Sequence, residues 1–93
     1  MQRLAIGAST TIPVTNGGIL ILRSISNHNS TIVVIDSTGK INETLNTTSA
    51  SGIFSFNNPN AAYFNVQDGN PLTITNKHAS VALEFSYKWL CTI

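Results

Sequence analysis

Charge is what this sequence has least of. Only 10% of its 93 residues are Asp, Glu, Lys or Arg, against roughly a quarter in an average soluble domain. The five cations, Arg3, Arg23, Lys40, Lys77 and Lys88, are scattered, and the formal net charge is +1. Phosphate recognition needs several clustered cations, so a nucleic-acid partner is disfavoured. The four acids, Asp36, Glu43, Asp68 and Glu84, each stand alone, which leaves no carboxylate pair for acid–base work close together in the chain. A single cysteine, Cys91, excludes an internal disulfide and suits assembly in a reducing cytoplasm. It reads as a small hydrophobe at a strand end. The longest apolar run, residues 18–22, is far short of the roughly 20 residues of a membrane helix. The N-terminal residues lack an apolar h-region, so no signal peptide is expected, and the sequons at Asn29, Asn42 and Asn46 reflect the abundance of Asn and Thr.

Catalytic and metal chemistry is also scarce. His28 and His78 are the two imidazoles, and both are expected in turns, at opposite ends of the molecule. No Cys/His spacing for zinc and no Gly-x-Ser-x-Gly elbow occurs. Asp68 before Gly69, and Asp36 before Ser37, Thr38 and Gly39, read as Asx residues capping their own turns. The expectation is a protein with no catalytic residue, no metal and no cofactor, and not an enzyme.

Neutral hydrogen-bonding residues take the place of charge. Asn, Thr and Ser make up about a third of the chain, which suits exposed strand faces and turns. With so little repulsion between copies, such a surface favours association.

Period-2 alternation dominates the hydrophobic pattern. Residues 80–90 put Val81, Leu83, Phe85, Tyr87 and Trp89 on one side, as a strand with one buried face requires. Trp89, the chain's only Trp, makes that row the expected floor of the core. Residues 10–14 read as an edge strand because Pro13 cannot donate to a ladder. Further strands are expected at 18–26, 31–36, 41–45, 52–57, 62–67 and 72–75, with Phe54 and Phe56, then Phe64 and Val66, facing inward. Turns fall at Asn16-Gly17-Gly18, 27–30, 37–40, 57–60, 68–71 and 76–79. The fold class is therefore all-β, an antiparallel two-sheet sandwich of seven or eight strands, jelly-roll or immunoglobulin-like. Residues 1–93 form one domain, with 1–9 as an N-terminal arm.

Strands 18–26 and 31–36 are aliphatic on both faces. Ile19 and Ile21 share one side with Arg23 while Leu20 and Leu22 take the other, and Ile32 and Val34 oppose Val33 and Ile35. A sandwich strand needs one apolar face. Something therefore covers the second: the arm, a loop or another subunit. A carbohydrate-binding module would need exposed aromatics beside hydrogen-bonding side chains. Tyr63 and Trp89 are the candidate aromatics; Trp89, in phase with Val81, Leu83 and Phe85, reads as core, which leaves Tyr63, out of phase with Phe64 and Val66, as the candidate sugar contact, together with Asn65.

The succession Ile12-Pro13-Val14, residues 18–27, residues 31–36, the Asp68-Gly69-Asn70-Pro71 turn with its following strand, and residues 81–87 resembles small β-sandwich virion proteins of tailed bacteriophages. These decorate capsids or sit in the neck or tail. The resemblance covers most of the chain and is one of strand and turn pattern. It implies a virion component assembled in the bacterial cytoplasm, present in many symmetric copies, with a binding role. The partners it implies are further copies of the chain, most simply in trimers, and other virion proteins such as the major capsid protein. Ile19, Ile21, Val33 and Ile35 are the candidate interface residues, with the inward row of strand 18–26 left open. A carbohydrate- or receptor-binding sandwich of a phage tail or lectin-like type is the alternative.

Overall fold

Alternating apolar residues, separated by turns rich in Gly, Asn and Pro, produce nine strands in the computed structural model, which describes residues 1–26, 29–46 and 52–91. They are β1 (Gln2–Leu4), β2 (Ser9–Ile12), β3 (Gly18–Ser24), β4 (Asn29–Ile35), β5 (Ile41–Asn46), β6 (Phe54–Phe56), β7 (Phe64–Gln67), β8 (Leu72–Asn76) and β9 (Leu83–Cys91). A five-stranded sheet has the order β1-β9-β3-β4-β5 and a four-stranded sheet the order β2-β8-β7-β6. The five-stranded sheet is antiparallel throughout. In the smaller sheet β6 and β7 run parallel, a departure from the expected all-antiparallel pattern. The intervening segment does not close as a hairpin: Asn57 takes a positive φ of 51°, and an Asn58 carbonyl bond from the Ala61 N–H folds the chain back on itself.

The core lies between the sheets. Leu20, Leu22, Val33, Ile35, Leu83 and Phe85 face it from the larger sheet, and Ile12, Phe54, Phe64, Leu72 and Ile74 from the smaller. Phe64 joins the layers, stacked on Phe54 at 5.1 Å and edge-on to Phe85 at 5.6 Å, the offset and edge geometries that ring quadrupoles favour. Phe56 packs against this cluster, half-buried. The expected edge strand is in place: β2 borders the smaller sheet, and Pro13 follows its last residue.

Three expectations need correction. The N-terminal residues are not an arm, because Gln2–Leu4 pairs with β9 and buries Leu4 against Leu83. The last strand begins at Leu83 rather than at residue 80. His78 Nδ1 accepts the Ser80 and Val81 N–H groups at 3.1 and 3.3 Å, which holds that segment as a loop and leaves Val81 46% exposed. Asp68 does not cap its own turn. Its Oδ1 accepts the Ile41 N–H at 2.9 Å and an Asn57 Nδ2–H at 3.0 Å, tying the start of β5 to the end of β7. Beside it, Gly39 at φ +87° lies against the Gly69 backbone with no room for a Cβ.

The outer face of the larger sheet as candidate functional site

Directly opposed residues on neighbouring strands share a face, so the register decides which aliphatics look outward. Ile19 lies opposite Val34, and Ile21 opposite Ile32 and Lys88. Ile32 and Val34 in turn lie opposite Leu45 and Glu43. This row points away from the smaller sheet. Ile19, Ile21, Ile32 and Val34 are half-buried among their neighbours, Leu45 is 64% exposed, and Leu90, two residues past Lys88, is 51% exposed. Among the described residues no strand lies over them, since β1 sits beside β9 at the sheet edge and the other four strands pack on the opposite side. Four strands about 4.8 Å apart and two rows of side chains make a patch of roughly 270 Å². That is about a third of the roughly 800 Å² that each partner of a standard interface buries, so an interface centred here takes in the surrounding polar residues as its rim. Arg23, Lys88 and Glu43 stand around it, all exposed.

The four candidate interface residues divide. Ile19 and Ile21 are on this patch, whereas Val33 and Ile35 point into the core, at 0% and 2% exposure. Sequence reasoning missed Ile32, Val34 and Leu45. The signal that places them was present: Arg23 is in phase with Ile19 and Ile21, and a lone Arg does not enter a core without a partner.

The proposed sugar contacts do not form a platform. Tyr63 is half-buried, packed on the core and tilted against His78 at 5.0 Å. Asn65 is 8% exposed, its Oδ1 accepting the Asn58 N–H at 2.8 Å and its Nδ2 donating to Gln67 Oε1 at 3.4 Å. Both ends of the amide are engaged within the fold. Aromatic surface is available elsewhere. Tyr87, 37% exposed, and half-buried Trp89 line a groove of about 280 Å³ with Pro13 and Thr15. Trp89 therefore rims the core instead of flooring it.

The titratable groups are dispersed. Among the described residues no three of His, Cys, Asp and Glu come together as metal ligands. Asp36 is held below the usual aspartate range, chiefly by the Thr38 hydroxyl at 2.6 Å and also by the Lys40 and Thr38 N–H groups. This is the turn-capping role expected of it. His28 and the side chain of Cys91 lie outside what the structure describes. Among the described residues no helix is long and apolar enough to cross a membrane. Compared with protein-family models, curated proteins and solved structures, the chain matches none of them.

Proposed function

We propose that this chain is a non-enzymatic structural subunit of a tailed-bacteriophage virion, a capsid decoration or cement protein that associates with its own copies and docks on the particle. The observation that carries the assembly role is the outer aliphatic patch of Ile19, Ile21, Ile32, Val34 and Leu45, over which no strand lies among the described residues. Contiguous apolar surface rimmed by polar residues supports an interaction role, and a chain with only 10% charged residues does little to keep copies apart. The phage assignment rests on the strand and turn resemblance. Two packed β-sheets are compatible with the small β-sandwich that it implies. Symmetric repetition, most simply a trimer, multiplies modest contacts into firm attachment.

Purified chain added to particles of the phage that encodes it should co-sediment at a fixed copy number per capsid, and its gene should lie among capsid, portal or tail genes. A chain that remains in the supernatant, with no such neighbours, would overturn the virion reading.

A further inference from the structure

A second feature, remote in kind from the outer patch, is an unfinished sheet edge. β1 covers only the first part of β9, pairing Gln2 with Phe85 and Leu4 with Leu83. Past Phe85, β9 is paired with β3 on one side alone, and among the described residues nothing pairs with residues 87–91 on the other. Tyr87 and Trp89 lie opposite Leu22 and Leu20, so their side chains share the inner face, and the groove they make with Pro13 and Thr15 opens beside that unpaired edge. The Tyr87 hydroxyl, the Trp89 indole N–H and the Thr15 hydroxyl make no side-chain hydrogen bond among the described residues. Ladder groups with no strand partner among the described residues and an apolar groove carrying hydroxyl and indole donors thus occupy one place.

The geometry points to a strand-addition site: residues 87–91 accept an extended segment of another polypeptide, running antiparallel to β9 in line with β1. Main-chain hydrogen bonds supply affinity in this mode and alternate side chains supply specificity. The chemistry of the incoming strand follows from the faces of β9. Residues opposite Tyr87 and Trp89 enter the groove, so they are apolar. The residue between them lies on the outer face opposite Lys88, which calls for Asp or Glu. Next door, Arg3 of β1 occupies the register position opposite Glu84. Pairing between two copies of β9 is disfavoured in the register that sets Lys88 against Lys88, because like charges directly opposite repel. The ligand is therefore a partner segment reading apolar-acidic-apolar. This inference does not depend on whether the outer patch assembles.

The probe is a short synthetic peptide with valine on each side of a central glutamate in a threonine background, compared with the same peptide carrying lysine at the centre. Trp89 is the only Trp, so its emission reports groove occupancy directly. The glutamate peptide should shift the emission to shorter wavelength saturably and slow amide exchange at residues 87–91. It should bind roughly three- to tenfold more tightly than the lysine peptide. Lys88→Glu, a change at an exposed position that leaves the core intact, should reverse that preference. No saturable shift at millimolar peptide, or equal binding of the two peptides to both proteins, would overturn the proposal. So would a shift produced by a neutral oligosaccharide and not by peptide, or protection of residues 87–91 that appears with protein concentration alone.

Discussion

Asn76, the last residue of β8, is fully buried and joins three segments. Its Nδ2 donates to the Leu4 carbonyl at 3.1 Å and to the Val81 carbonyl at 3.0 Å, and its Oδ1 accepts the His78 N–H at 2.8 Å. One amide therefore ties the end of β1, in one sheet, to the loop that leads from the other sheet into β9. Asn76→Ala removes three hydrogen bonds of about 1 kcal/mol net each and leaves the Leu4 carbonyl without this partner, a loss of roughly 3–4 kcal/mol. For a domain of this size that lowers Tm by roughly 12–30 °C. The isosteric Asn76→Asp should be no better, because a carboxylate has no N–H to offer two carbonyls. Urea unfolding followed by circular dichroism gives the free energy, and amide exchange at Gln2–Leu4 tests whether β1 loosens from β9. A cost below about 1 kcal/mol for Asn76→Ala, or an Asn76→Asp variant as stable as wild type, would refute the reasoning.

Further outcomes follow from other positions. Ile21→Thr with Ile32→Thr, opposed on adjacent strands of the outer patch, should weaken self-association roughly thirtyfold, about 2 kcal/mol from two half-buried side chains. The same pair should change monomer stability little, with light scattering and thermal melts separating the two effects. Gly39→Ala, at φ +87° against the Gly69 backbone, should cost more than about 2 kcal/mol in urea unfolding. Asp36 should titrate below its ordinary value near 3.8. A group with a depressed folded pKa stabilises above its unfolded pKa and loses that contribution as pH falls through the folded one. The Tm gap between wild type and Asp36→Ala should therefore be constant at neutral pH and close on acidification below 3.8.

The fold was legible wherever one face of a strand is apolar and the other polar. Leu72 and Ile74 alternate with Thr73 and Thr75, and β8 lies where that pattern puts it. Phe64 and Val66 are inward at 0% exposure for the same reason. Legibility failed where polarity on a face reports something other than solvent. Ser24, Asn29 and Thr31 are buried on the inner face of the larger sheet while Ile19, Ile21 and Ile32 look outward, so polarity within β4 alone points the wrong way and only Arg23 on β3 corrects it. Asn76 has the composition of a turn residue, but its partners, Leu4 and Val81, are known only once two distant segments meet. For Trp89, phase with Leu83 and Phe85 was read correctly. How far the smaller sheet extends over β9 is not written in that strand, and it decides that Trp89 lines a groove.

Sedimentation equilibrium of the wild-type chain, from low to high micromolar concentration, tests most directly whether the outer aliphatics complete their packing against a neighbour. The apparent mass should rise from 10.0 kDa toward a whole-number multiple, most simply three, with the rise lost in the Ile21→Thr, Ile32→Thr pair. A mass of 10.0 kDa at every concentration would contradict it, as would an oligomer indifferent to those substitutions.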